Sequence, residues 1–82
     1  MTTKERVALI KAFEYGINQA KQSNIEWNDY LIAEKQGNTV TMGVKQRLND
    51  LHRGEAHGVA QALALIGSCK EQVKAIYKEL GE

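Results

Sequence analysis

Apolar residues recur every three to four positions along most of this 82-residue chain, the spacing of one face of an α-helix. Ile10, Phe13 and Ile17 mark the first such face. Ahead of it, Thr2-Thr3-Lys4-Glu5 has the form of a capping box, in which Thr2 and Glu5 satisfy each other's free amides. A helix is therefore predicted from Thr2 to about Lys21–Ser23. Ser23-Asn24-Ile25-Glu26 repeats the box and is followed by Trp27, Tyr30 and Leu31. Gly37 then suits the left-handed position that ends a helix, so a short second helix is predicted over 24–36.

The next stretch reads two ways. Gln36-Gly37-Asn38, followed by β-branched Thr39, Val40 and Thr41, could close a β-hairpin between residues 30–35 and 39–44. The helical reading instead starts a long third helix near Thr41 and carries it to Ile66, with Gly67 beyond its end. A third box, Ser68-Cys69-Lys70-Glu71, opens a last helix bearing Val73, Ile76, Tyr77 and Leu80. The expected architecture is thus an all-α single domain over 1–82, a small bundle of three to four helices with a long third helix. The alternative is α+β, with a hairpin at about 30–44.

Turned by about 100° per residue, the long helix gathers Val44, Leu48, Leu51, Val59, Ala62 and Ile66 on one stripe. Gly54 and Gly58 run along its edge, and Ala62 continues their spacing of four. The first helix carries a matching row, Ala8, Ala12, Gly16 and Ala20. Rows of small residues let two backbones approach closely, so a packing or oligomer seam is predicted across them, within one chain or between two. Glu55 falls inside the apolar stripe, where a carboxylate needs water, a partner or a ligand. His52, one turn earlier on the neighbouring flank, could supply that partner.

Composition removes most other chemistry. Net charge is +1, so nothing draws the whole chain to nucleic acid or to an acidic membrane. The one cysteine excludes a disulfide framework and fits a reducing, cytoplasmic setting. No apolar run approaches the roughly 18 residues of a membrane span, and residues 1–21 alternate charge with apolarity, unlike a secretory leader. His52 and His57 are five apart and diverge by roughly 140° around a helix, so no zinc pair forms; no metal and no cofactor are expected.

A helix-turn-helix reading of "AEKQGNTVTMGVKQRL" fails because Gln36, Asn38, Gly43 and Gln46 fall where apolar residues are needed. Nucleic-acid binding would then rest on Lys45, Arg47, His52 and Arg53, and a nucleotide or other small ligand on Arg47, His52, Arg53 and Glu55 at an oligomer interface. Cys69 at a helix start could have a lowered thiol pKa, but no histidine is close to it in sequence. Trp27 and Tyr30 could anchor a partner or fill a core.

The short chain without proline and its segment "GEAHGVAQALALI" resemble the small helical accessory proteins of bacteriophages and other mobile elements. Over residues 44–66 that resemblance implies a protein that acts by binding, as an inhibitor or regulator of a host protein. The expectation is a non-enzymatic, homo-oligomeric protein-binding module. A small-ligand binder and a nucleic-acid-binding regulator are the alternatives.

Overall fold

The computed structural model describes all of residues 1–82 and contains three helices. Helix α1 spans Thr3–Gln36, α2 spans Thr39–Ala64 and α3 spans Lys70–Glu79. There is no strand, so the all-α reading holds and the hairpin alternative does not.

Helix α1 begins where the first capping box puts it, with Thr2 Oγ1 accepting the Glu5 amide at 3.1 Å. It does not stop at Lys21–Ser23. The predicted first and second helices are one helix of 34 residues, which makes the predicted third helix the second and leaves α1 the longest. The reason lies in what the second capping box touches. Ser23 is fully buried, and Asn49 Nδ2 donates to both its Oγ and its carbonyl oxygen, at 3.0 and 2.8 Å. Glu26 turns to His52 rather than back to the Ser23 amide. Neither glycine nor proline interrupts the chain from Ile17 to Gln36, so with both box side chains engaged elsewhere the helix continues.

Gln36-Gly37-Asn38 does reverse the chain, but between helices. Gly37 is left-handed (φ 70°), its amide donates to Glu34 O, and the Asn38 amide donates to Ala33 O at 2.9 Å. That pattern satisfies the last carbonyls of α1. Asn38 Oδ1 then accepts the Thr41 amide at 3.1 Å and caps α2, so two residues join antiparallel neighbours. The third box is displaced by one residue: Cys69, not Ser68, precedes α3, and it makes no side-chain cap bond.

Helices α1 and α2 pack as a long hairpin in a 3-4 repeat. On α1 the inward positions are Leu9, Ala12, Gly16, Gln19, Ser23, Glu26, Tyr30 and Ala33. On α2 they are Met42, Lys45, Asn49, His52, Ala56, Val59 and Leu63. Every one of these is buried or half-buried, the geometry of an antiparallel coiled coil. Helix α3 returns along one flank and stops two-thirds of the way. Its Ile76 and Leu80 complete a core with Ala20, Ala56, Ala60, Leu63 and Cys69, against which Phe13, Ile17 and Tyr77 pack.

A seam of small residues therefore exists, but its α2 side is rotated from the expected one. Ala12, Gly16 and Ala20 meet Ala56, Val59 and Ala60. Gly54, Gly58, Leu51 and Ala62 lie outside the seam and Ala8 is exposed. The predicted stripe from Val44 to Ile66 is divided: Val59 enters the seam, while Val44, Leu51, Ala62 and Ile66 lie on the flank of α2 away from α3. Val44, Leu51 and Ile66 remain 51%, 54% and 44% exposed there. The molecule is a slab of 52 × 21 × 14 Å with 5679 Å² of surface, against roughly 4,900 Å² for a compact monomer of this mass.

Gly16 is the point of closest approach. A Cβ there would stand 2.8 Å from Ile76 Cδ1 and 2.9 Å from Val59 Cγ1. Val59 is stiff at χ1 and Ile76 is fully buried, so neither yields easily. Gly16→Ala is expected to lose about 1–3 kcal/mol in urea unfolding despite its better helix propensity. Gly43→Ala, with nothing within 4 Å, should gain up to about 1 kcal/mol.

Candidate functional site

Midway along the hairpin the seam becomes polar. Glu26 is 2% exposed, and its Oε2 lies 2.7 Å from His52 Nδ1. Gln22 Nε2 donates to Glu26 Oε1 at 3.4 Å from one helical turn away. With Ser23 and Asn49 these residues fill successive inward positions of the coiled coil, two on each helix. A carboxylate removed from water needs such partners, and the closer of the two, His52, comes from the facing helix. The layer is register-specific: sliding α1 on α2 by one turn would take Glu26 away from His52 and Ser23 away from Asn49. The His52–Glu26 pair orients the imidazole as a base-orienting pair does, but no nucleophile accompanies it. Ser23 Oγ is held by Asn49, and Cys69 is buried at the far end of α3.

The expected polar group Arg47, His52, Arg53 and Glu55 does not converge. His52 turns inward to Glu26 rather than to Glu55. Arg53 Nη2 pairs with Glu82 Oε1 at 2.8 Å, and its Nη1 donates to Leu80 O at the end of α3, where a cation opposes the helix dipole. Arg47 is exposed on the outer side of α2. Glu55 is half-buried and accepts a hydrogen bond from the Tyr15 hydroxyl across the hairpin. His57 is also engaged within the fold, with its Nε2 3.1 Å from Glu82 Oε2 and its ring resting on Tyr77. No group of three or more His, Cys, Asp or Glu is placed to hold a metal ion.

Trp27 and Tyr30 stack nearly parallel on α1 with ring centroids 5.1 Å apart. Trp27 is 48% exposed, because α3 ends before reaching it. It borders an open cleft of about 470 Å³ at that end, lined also by Asn24, Asn49, Asp50, Arg53 and Leu80. Trp27 thus belongs to the surface, stacked on a half-buried Tyr30 that faces the seam.

Gly54 and Gly58 project from the outer side of α2 with nothing within 4 Å of where a Cβ would be. Each costs a helix interior roughly 1 kcal/mol relative to alanine, and nothing within the chain offsets that cost.

Sequence reasoning missed Ser23, Glu26 and Asn49 as members of a buried polar network, and Tyr15 as the partner of Glu55. The signal for the first two was present: extending the spacing of Leu9, Ala12 and Gly16 by threes and fours leads through Gln19 to Ser23 and Glu26. No comparable local signal marks Tyr15, whose partner is 40 residues away.

Comparison with known proteins finds no matching family model, and no curated protein or solved structure matches the chain.

Two measurements test this geometry. His52→Leu leaves the Glu26 carboxylate with only Gln22 and should cost about 1–3 kcal/mol in urea unfolding. Adding Glu26→Leu should restore much of that loss, giving a strongly non-additive double-mutant cycle. Separately, the hydrogen bond to Glu55, and secondarily desolvation and the carboxylate's charge, hold the Tyr15 phenol above its ordinary pKa. The fold therefore favours the neutral phenol; this contribution is intact below the ordinary tyrosine value of about 10 and fades as pH rises through the raised one. In an ultraviolet titration Tyr15 should ionise above the ordinary tyrosine value, and Glu55→Ala should bring it back toward that value.

Proposed function

We propose that this protein is a non-enzymatic protein-binding module that self-associates and presents an aromatic anchor to a second protein. It would act as a small inhibitor or regulator of a host protein in the manner of the phage accessory proteins it resembles, in the cytoplasm. The observation that carries the reading is how much large apolar side chain the fold leaves uncovered. Only 11 of 82 residues are buried, while Trp27, Val44, Leu51 and Leu65 are each about half exposed or more. Exposed aromatics beside a wet cleft are the residue types on which interface energy concentrates. No helix is long and apolar enough to cross a membrane, so a helical lipid span does not account for the exposure.

Helix α3 supports the choice of Trp27 as anchor. It shields the hairpin as far as Arg53 and Asn24, where Asn24 Nδ2 donates to Glu79 O at 2.6 Å, and leaves Trp27 and Leu31 open just beyond. A partner side chain or helix end entering there would continue the line of α3 along the same flank.

Affinity capture from host lysate tests this with wild-type protein and Trp27→Ala side by side. The expected outcome is a retained protein whose affinity falls by about 10–100-fold in the variant, with the unfolding midpoint little changed. An identical retained set at equal affinity would remove Trp27 from the binding surface.

A further inference from the structure

The outer side of α2 is a long face of the hairpin that neither α1 nor α3 touches. From Val40 to Leu65 it repeats at alternating steps of four and three residues, passing through Arg47, Leu51, Gly54 and Gly58. That repeat keeps one stripe turned toward a partner helix along its whole length. Val40 is 77% exposed and Leu65 is 89% exposed. Gly54 and Gly58 stand in the middle with open space above them.

We propose that a second copy of this chain covers this face, with the two α2 helices antiparallel about a two-fold axis passing between Leu51 and Gly54. The inference rests on the self-associating half of the proposed function and gives it a surface, an orientation and a register. Shape decides the orientation. In this register Leu51 falls against Gly54 of the second copy, the aliphatic stem of Arg47 against Gly58, and Val40 against Leu65. The large inner side chains each meet a glycine, so the two helices can approach closely without collision. A parallel pairing would instead set Leu51 on Leu51, leave the glycines facing each other across a gap, and put two Arg47 guanidinium groups together. In the antiparallel pair those guanidinium groups are roughly 16 Å apart along the axis, beyond a Debye length at physiological salt.

The area of surface left open fits a second copy as the occupant. The chain exposes roughly 750 Å² more than a compact monomer of its mass. A standard interface takes about 800 Å² from each partner. The chain's excess surface is thus of the order that one partner contributes to a standard interface, and a net charge of +1 puts no general repulsion between two copies.

Sedimentation equilibrium to high micromolar concentration, on wild type and on the Gly54→Leu/Gly58→Leu double variant, tests the proposal. The expected result is a wild-type dimer and a dissociation constant raised at least about 100-fold in the variant. Its thermal midpoint at low concentration should be equal or higher, because both side chains enter open space. Leu51→Arg, which alters no glycine, should also dissociate the dimer. A monomeric wild type would overturn both this interface and the self-association reading. A dimer that survives both variants would overturn this interface alone. Orientation is read from nitroxide labels at Thr39→Cys in a Cys69→Ala background. Antiparallel helices place them roughly 40 Å apart and parallel helices roughly 10 Å apart. The short distance would overturn the register.

Discussion

The close approach of α1 and α2 at Gly16 is the constraint on which the rest of this structure depends. With no side chain at Gly16, and with Ala20, Ala56 and Ala60 around it, the two backbones come near enough for Ile76 of α3 to lie over the crossing. Small residues permit that proximity but bury little apolar area apiece, so the hairpin cannot be held by hydrophobic burial along its length. Helix α3 supplies what the seam lacks at one end. Its Ile76 and Leu80 are the large side chains that make the core more than a line of methyl groups.

Where α3 gives out, polar chemistry takes over. The layer of Ser23, Glu26, Asn49 and His52 contributes less to stability than to specificity, since a buried carboxylate is costly in any arrangement but the one that pairs it. Antiparallel helices lined with small residues have several nearly equivalent alignments, one turn apart. Only one sets His52 Nδ1 against Glu26 and Asn49 against Ser23. The side chains that could have capped a shorter helix are the ones that lock the longer hairpin, so register and helix length are a single decision. The Tyr15–Glu55 and Lys45–Asp29 contacts extend that alignment toward either end.

A thin seam also leaves much apolar surface outside. Helix α3 shields one flank and stops short of Trp27, while the outer side of α2 is shielded by nothing in the chain. The spacing of Gly54 and Gly58 suggests a helix thinned to receive α1, but α1 approaches from another direction. Their open side faces away from the hairpin, toward whatever covers the opposite face. The outer face of α2 and the Trp27 cleft are different surfaces, so the proposed dimer would present the proposed anchor twice.

Helix boundaries set by local backbone chemistry were legible in the sequence. Thr2 begins α1, the left-handed Gly37 and capping Asn38 turn the chain, and the all-α class follows from periodicity that needs no tertiary context. The predicted break at Ser23 was not sustained, because a capping box and a continuing helix differ only in where two side chains find partners, and those partners lay 26 residues away. The face α2 buries was decided the same way. Periodicity marks its apolar stripe with Gly54 and Gly58 along one edge, and it does not mark the side that meets α1. Tertiary packing chose the side holding Ala56, Ala60 and Leu63, since only there can a second and a third helix approach together. The sequence by itself determined what kind of elements form and where the chain turns; the structure decided how they face one another, because facing is set by contacts between residues far apart in the chain.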